Sequence, residues 1–133
     1  PATPLRETAS GGELSRVMLA LLGAAGAGGD GVLVFDEIDA GIGGHTGRAV
    51  GEQLRALAAG RQLLCITHLP QVAAQAERHF AITKDVTSEP ARTTVTALEG
   101  QAVIGELTRM LGGADDDLAV RRHARQLRRQ AVA

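Results

Sequence analysis

Hydrophobic residues along the chain follow two different spacings. The apolar run at 32–35 (VLVF) and the segment 62–67 (QLLCIT), apolar at its four central positions, predict strands that are buried on both faces, as in a parallel sheet flanked by helices. The segments 79–84 (HFAITK) and 92–98 (RTTVTAL) alternate more and predict strands near a sheet edge. Because helical segments separate the strands, we expect an α/β fold with a mainly parallel sheet.

The first predicted helix begins at Ser10. The sequence SGGE matches a capping box, in which a serine and a following glutamate each bond the other's backbone N–H. Helical spacing predicts that the buried face of this helix consists of Leu14, Val17, Met18 and Leu21.

The same spacing predicts further helices. In a helix at about 45–59, Val50, Leu54 and Leu57 are expected to face inward. The other predicted elements are helices from Pro70 to about Arg78, at about 101–111 and at about 115–131, a loop at 23–31 and an irregular segment at 1–9.

The last predicted helix is strongly charged. It has aspartates at 115–117 and arginines at 128–129, the order that the helix dipole favours. Its arginines could contact DNA phosphates without regard to base sequence. They could equally form the solvated side of the helix, whose apolar face would consist of Val120, Ala124, Leu127 and Ala131.

Length and composition limit the possible functions. With 133 residues, 44% of them hydrophobic, the chain is at most one domain with a substantial core. The net charge of −1 gives no general signal for nucleic acid, and the 2% aromatic content excludes a surface that stacks single-stranded bases. Because the chain begins at Pro1 rather than Met, we expect a fragment or a processed piece.

Two segments exclude further classes of protein. The single cysteine, Cys65, excludes an internal disulfide, and its place in LLCIT predicts a buried core residue in a reducing compartment. The apolar window 17–35 is interrupted by glycines, which indicates a helix, a loop and a strand. We therefore expect no membrane span.

Two adjacent carboxylates, Asp36 and Glu37, follow the VLVF strand directly. Ligands of open parallel sheets bind at the carboxyl ends of the strands, and neighbouring carboxylates repel each other unless a cation compensates. Magnesium is the cation expected beside a nucleotide phosphate, because it keeps several waters and takes one or two protein carboxylates. However, the phosphate loop GxxxxGK[ST] is absent and Lys84 is the only lysine, so the site is incomplete in this chain.

Two further signals are weak when taken alone. SGGE at a helix start presents backbone N–H groups that suit an anion, although it is also simply a good N-cap. His68 follows the QLLCIT strand, where a lone histidine is more often structural than catalytic. The order SGGE, VLVFDE, CITHLPQ makes the combination informative.

This order resembles the C-terminal half of an ATP-binding-cassette (ABC) ATPase head. SGGE resembles the signature motif, VLVFDE the Walker B strand, IDAGIGG the D-loop and THLPQ the switch-histidine segment. The stretches SGGELSRVMLAL, FDEIDAGIGG, CITHLPQVAAQA and ELTRMLGG also resemble the RecN family of bacterial DNA repair proteins, which is related to the chromosome-maintenance (SMC) family. The resemblance implies the C-terminal lobe of an ABC/SMC-type P-loop ATPase head, incomplete without its N-terminal half.

The resemblance implies a role for each motif. Asp36 would hold magnesium, Glu37 would orient and polarise the attacking water, and His68 would contact the γ-phosphate. The SGGE helix start would grip the γ-phosphate bound to the opposite head, and Asp39 would couple the two sites across the interface. The implied nucleotide-binding residues are Ser10, Gly11, Gly12, Glu13, Asp36 and Asp39, with Glu37 and His68 as catalytic residues.

The resemblance also implies cofactors and partners. ATP and magnesium would lie between two heads of a homodimer, and the N-terminal half of the same head would supply the phosphate loop (Walker A). The longer protein would hydrolyse ATP and contact DNA in double-strand break repair and recombination, in the bacterial cytoplasm and associated with the nucleoid. This chain alone would be inactive.

Two alternatives remain open at this point. The chain could be a non-catalytic dimerisation or regulatory module. It could also be a fragment of a transporter-type nucleotide-binding domain, although transporters commonly have Gln at the position of Glu13.

Overall fold

The computed structural model describes residues 9–25, 31–87 and 89–132. The chain divides into two compact units, Pro1–Gln75 and Ala76–Ala133. Its helices and strands are α1 (Gly11–Ala24), β1 (Val32–Phe35), α2 (Gly44–Leu57), β2 (Gln62–Cys65), α3 (Pro70–Ala73), β3 (His79–Asp85), β4 (Arg92–Leu98), α4 (Gln101–Met110) and α5 (Leu118–Val132). The strands within the described residues form two two-stranded sheets, β1–β2 and β3–β4. The α/β class is confirmed.

The first unit is built on the parallel pair β1–β2. Phe35 lies opposite Cys65, and the Ile66 N–H extends the ladder by donating to the Phe35 carbonyl oxygen at 2.9 Å. Parallel pairing brings the carboxyl ends of both strands to the same edge of the sheet. The segments that follow the strands, 36–40 and 66–69, therefore meet at that edge.

One face of this sheet packs on the hydrophobic core of the unit. The three inward-facing residues predicted for α2, Val50, Leu54 and Leu57, are all buried, so that prediction is confirmed. The core cluster consists of Leu19, Phe35, Ile38, Val50, Leu54, Leu57 and Val72.

The opposite face of the β1–β2 sheet is not covered by the described residues. Val32, Val34, Leu64 and Ile66 are 54%, 65%, 47% and 52% exposed, respectively. The prediction that both strands are buried on both faces is therefore wrong for this chain. Successive side chains of a strand point to opposite faces, and the described helices cover only the face that carries Phe35.

The buried face of α1 also differs from the prediction. Val17, Met18 and Leu21 are exposed and Leu14 is half-buried, whereas Leu19 is buried in the core. This helix therefore packs through its Leu19 side. Helical spacing shows which apolar residues share a face, but a helix with apolar residues on several sides does not reveal which side meets the core.

Several predicted boundaries are shifted. The helix α2 begins and ends within two residues of its prediction, at Gly44 and Leu57. By contrast, α3 ends at Ala73, well short of Arg78, and turns and bends at 74–78 lead into β3, which begins at His79. The predictions of an irregular segment at 1–9 and a loop at 23–31 lie mostly outside the described residues.

The second unit contains an antiparallel hairpin and the helices α4 and α5. The pairing of β3 with β4 runs from His79 opposite Leu98 to Asp85 opposite Arg92, which confirms both strands. Side chains from both helices are buried in this unit, namely Val103, Ile104, Leu107 and Thr108 of α4 and Ala124 and Ala131 of α5. No helix within the described ranges is long and apolar enough to cross a membrane.

The charged helix α5 begins at Leu118, later than predicted, because Asp117 caps it. The Asp117 Oδ1 atom accepts hydrogen bonds from the N–H groups of Ala119 and Val120 at 3.1 and 3.0 Å. The predicted apolar face is present, since Ala124 is fully buried and Val120 is half-buried.

Candidate nucleotide-binding site

The turn after β1 carries both adjacent acidic residues. Asp36 and Glu37 are exposed at the carboxyl edge of the β1–β2 sheet. Glu37 has a φ of 55°, in the left-handed region that costs a non-glycine residue about 1–3 kcal/mol. The Ala40 N–H closes the turn by donating to the Glu37 carbonyl oxygen at 3.0 Å. Backbone strain of this kind is concentrated at functional sites, and no residue pattern predicts it here.

The predicted capping box is present at the start of α1. The Glu13 N–H donates to Ser10 Oγ at 3.3 Å, and the Ser10 N–H donates to Glu13 Oε2 at 2.8 Å. The hydrogen bond from the Ser10 N–H is the main reason that the pKa of Glu13 lies below its ordinary value. Because Ser10 and Glu13 bond each other, this helix end is held in the conformation that presents its first backbone N–H groups.

The two glycines of SGGE contact the acidic turn. Gly12 is buried, and a Cβ built on it would lie 2.9 Å from the Ala40 Cβ. A Cβ on Gly11 would lie 3.5 Å from Glu37 Oε2, which is an ordinary contact distance. The structure therefore brings the predicted signature residues against the predicted Walker B turn of the same chain.

Two side chains that the sequence reasoning missed join α1 to this turn. Arg16 Nη1 donates to the carbonyl oxygens of Ile38 and Ala40 at 3.0 and 2.9 Å. Ser15 Oγ donates to the Asp36 carbonyl oxygen at 3.3 Å. Helical spacing could have indicated that Arg16 faces the acidic turn, because Arg16 lies one helical turn after Gly12 and shares its face of the helix.

Asp39 is buried, with only 2% of the residue exposed. Its Oδ2 atom accepts hydrogen bonds from the Thr67 hydroxyl at 2.5 Å and from the N–H groups of His68 and Leu69 at 2.8 and 3.2 Å. Burial opposes ionisation, but these hydrogen bonds and the nearby His68 ring outweigh it, so the pKa of Asp39 lies below its ordinary value. Asp39 therefore bonds residues of its own chain.

His68 lies at the same edge of the sheet as the acidic turn. Its Nδ1 atom is 3.1 Å from Asp39 Oδ2, while its side chain remains 74% exposed. One ring nitrogen thus faces the buried carboxylate and the rest of the ring faces solvent. The structure brings the predicted residues Asp39 and His68 into direct contact.

Cys65 is partly buried, whereas the sequence predicted a buried core residue. The side chain packs against the core cluster. Burial, with smaller contributions from the charges of Asp39 and Asp36, raises the pKa of the Cys65 thiol to about 12. A thiol with such a pKa is protonated at neutral pH and is a poor nucleophile.

The donor set fits magnesium only in a site that other groups complete. Within the described residues, no group of three or more His, Cys, Asp or Glu side chains could enclose a metal ion. Asp36 and Glu37 are adjacent in sequence and both are exposed. Magnesium is commonly held by one or two carboxylates together with waters and substrate phosphates, so Asp36 could hold it beside a bound nucleotide.

Comparison with known proteins identifies close relatives. The DNA repair protein RecN of Treponema pallidum is 45% identical over 130 residues, which are 97% of this chain and 23% of that protein. RecN of Bacillus subtilis is 41% identical over 132 residues, 98% of this chain and 23% of the relative. RecN of Deinococcus radiodurans is 48% identical over 124 residues, 93% of this chain and 22% of the relative. The chain thus spans about a quarter of the length of these relatives. No family model matches it.

A solved structure shares the fold. The structure comes from work on the ATP-driven dimerization and DNA-stimulated activation of SMC ATPases. It aligns with this chain with a TM-score of 0.56 at 21% sequence identity. The alignment covers 79% of this chain and 63% of that chain. The described elements therefore have the fold of part of an SMC ATPase.

Proposed function

This chain is related over nearly its whole length to the C-terminal part of the RecN DNA repair proteins, and we propose that it forms part of an SMC-like ATPase head that acts in DNA repair. The term complete head is used below for this chain together with the N-terminal half that supplies the phosphate loop. One observation carries the proposal: the strained turn with Asp36 and Glu37 lies at the same sheet edge as His68.

The two acidic residues divide the work of hydrolysis. Asp36 would hold magnesium, which when bound would supply positive charge beside the phosphates. Glu37 orients and polarises the attacking water, because an exposed carboxylate beside a metal ligand is placed to accept its proton. His68, with its exposed ring, contacts the γ-phosphate.

The start of α1 serves the site of a second head. Its capped end presents backbone N–H groups and the positive end of the helix dipole, which together suit a phosphate. Ser10, Gly11, Gly12 and Glu13 form this end. Two complete heads then enclose ATP between them, and each nucleotide contacts both chains.

The N-terminal half of the head covers the bare face of the β1–β2 sheet. That face carries Val32, Val34, Leu64 and Ile66, all of them about half exposed or more. Apolar side chains at such positions are normally buried in a sheet of this type. The chain spans about a quarter of the length of its relatives, which leaves ample polypeptide to cover it.

The role in DNA repair is carried over from the relatives. We propose that the longer protein acts in double-strand break repair and recombination and associates with the nucleoid. We do not assign DNA contact to α5, because two of its arginines already bond within the unit: Arg121 to Gln101 Oε1 at 3.4 Å and Arg128 to the Ala76 carbonyl oxygen at 2.6 Å.

The test is magnesium-dependent ATP hydrolysis by the complete head. Glu37→Gln should keep ATP binding and slow hydrolysis by about 10²–10⁴-fold, the usual effect of losing a general base. Asp36→Asn should instead weaken magnesium-dependent nucleotide binding. Glu52→Gln is the matched control, because Glu52 is an exposed carboxylate on α2 that pairs only with Arg48 among the contacts described.

Two results would contradict this division of roles. If the complete head did not hydrolyse ATP, the chain would belong to a non-catalytic dimerisation or regulatory module. If Glu37→Gln and Asp36→Asn lost nucleotide binding equally, the separate roles of metal ligand and base would be wrong.

A further inference from the structure

The segment that carries His68 has little backbone support of its own. The strand β2 ends at Cys65, and its last ladder bond is the one from the Ile66 N–H. The helix α3 begins only at Pro70. Residues 67 and 68 lie between these elements, outside both the strand ladder and the helix, whereas Leu69 is the N-cap of α3 and its carbonyl oxygen accepts hydrogen bonds from the Val72 and Ala73 N–H groups at 3.1 and 3.0 Å.

Asp39 holds this segment by hydrogen bonds that come from outside it. Its buried Oδ2 atom accepts hydrogen bonds from each residue of the 67–69 segment, two of them from backbone N–H groups. The Thr67 hydroxyl adds an internal bond by accepting from the Leu69 N–H at 3.0 Å. A buried carboxylate is stable only when it is hydrogen-bonded in this way, so the carboxylate and the segment fix each other.

The same carboxylate orients the His68 ring. An exposed side chain ordinarily samples several rotamers, but here Nδ1 is 3.1 Å from Asp39 Oδ2. When one ring nitrogen bonds a carboxylate, the other is left to contact a ligand in a fixed direction. Nε2 of His68 is therefore the nitrogen that faces outward.

We propose that Asp39 is the positioning residue for His68 and acts on the nucleotide only through it. This inference rests on the proposed function, in which His68 contacts the γ-phosphate. Asp39 is 2% exposed, and its Oδ2 atom accepts hydrogen bonds from residues 67–69 of its own chain. Asp39 links the turn of the catalytic carboxylate Glu37 to the histidine segment within one head.

The first test is a double-mutant cycle in the complete head. Asp39→Ala should lower kcat by about 10–100-fold, the size of effect expected when a catalytic group is displaced by about an ångström, with a smaller change in KM for ATP. In a His68→Ala background, Asp39→Ala should cause less than about a further two-fold loss, because residues that act as a unit are non-additive. Independent, multiplicative losses would overturn the proposal. Asp39→Asn keeps an acceptor oxygen and should recover part of kcat; no recovery would also count against it.

The second test does not depend on activity. Amide hydrogen exchange of residues 67–70 in the complete head should be markedly faster in Asp39→Ala than in the unsubstituted protein. Thr108→Val is the matched control, because Thr108 is fully buried and hydrogen-bonded to the Ile104 carbonyl oxygen within α4. It should leave exchange at 67–70 unchanged.

The two tests separate this inference from the proposed function. Unchanged exchange at 67–70 in Asp39→Ala would overturn the inference even if the head hydrolyses ATP. If Asp39→Ala does not fold, kinetics and amide exchange are measured on Asp39→Asn and Thr67→Val instead. Unchanged exchange at 67–70 in both of these variants would also overturn the inference. A head that fails to hydrolyse ATP, yet shows faster exchange in these variants, would contradict the proposed function and leave the anchoring role of Asp39 in place.

Discussion

A Cβ atom on Gly12 would lie 2.7 Å from the backbone carbonyl oxygen of Glu37. Real Cβ atoms do not approach a carbonyl oxygen so closely, so the start of α1 and the acidic turn touch through positions that only glycine permits. Arg16 joins the same two elements from one helical turn further on. A displacement of the signature helix would therefore be transmitted to the turn that carries the proposed base.

We expect Gly12→Ala to damage both stability and catalysis. The added methyl group must displace backbone rather than a flexible side chain, and overpacking of this kind typically costs about 1–3 kcal/mol of unfolding free energy. Movement of Glu37 should in addition lower kcat in the complete head. Denaturant unfolding and steady-state kinetics measure the two effects.

The matched control is Gly105→Ala in α4. A Cβ on Gly105 meets no atom within 4 Å, so this change should stabilise the helix by about 0.5–1 kcal/mol and leave ATP hydrolysis unchanged. Equal behaviour of the two alanine variants would contradict a close contact at Gly12.

Ser10→Arg tests whether the start of α1 completes the site of a second head. The long side chain would fill the space proposed for the opposite γ-phosphate, so each head should still bind ATP while ATP-dependent dimers fail to form. Sedimentation of the complete head with and without ATP gives the answer. Thr94→Arg, at an exposed position on β4, is the control and should dimerise normally. Dimers of normal stability in Ser10→Arg would argue against a site shared between heads.

The parts of this fold that local patterns determine were predictable. The Ser10–Glu13 capping box requires only neighbouring residues, and the inward side of α2 follows from helical spacing at Val50, Leu54 and Leu57. The paired strands β1 and β2 were recognisable as apolar runs for the same reason.

Contacts between distant segments were not predictable in the same way. Helical spacing places Arg16 on the same face as Gly12, but it does not show that Arg16 bonds carbonyl oxygens of the acidic turn, and no pattern indicates the positive φ of Glu37. The resemblance implied a coupling role for Asp39, but its burial and its bonds to residues 67–69 join segments that are far apart in the sequence. Hydrophobic pattern also fails to show which apolar face is covered, as Val17 and Val34 illustrate.

Cys65 should resist alkylation in the folded protein. Its thiol has a pKa raised to about 12 by burial, so the reactive thiolate is scarce at pH 8. In the complete head, mass spectrometry of the peptide that contains Cys65 should find little modification by iodoacetamide under native conditions and full modification in denaturant. Rapid native labelling would show that the strand end opens readily or that the thiol is activated.

The isolated chain should fold poorly, because no described element packs on one face of its two-stranded parallel sheet, β1–β2. Within the described residues, β1 and β2 pair only with each other, which leaves a free edge on each strand. The bare face exposes Val34 and Leu64 to 65% and 47%. Full burial of such side chains is worth about 1.5–3 kcal/mol each, a large share of a total stability of about 5–15 kcal/mol. We therefore expect residues 1–133 alone to aggregate or to bind hydrophobic dyes, and to hydrolyse no ATP above background, since the phosphate loop is missing.

Two substitutions on the bare face of the β1–β2 sheet test whether the N-terminal half covers this face in the complete head or whether it remains exposed to solvent. Val34→Thr combined with Leu64→Thr keeps residues that tolerate a strand and removes apolar surface, so it should make the isolated chain more soluble. In the complete head the same pair should lower the unfolding free energy by about 2–5 kcal/mol, because it places hydroxyl groups in a buried contact. Val86→Thr, at a position that is 72% exposed, is the control and should change neither solubility nor unfolding free energy.

The decisive measurement is amide exchange across 62–67 in the isolated chain. Strong protection in a monomer would show that the β1–β2 sheet is stable without a covering segment, and the proposal of a half head would fail.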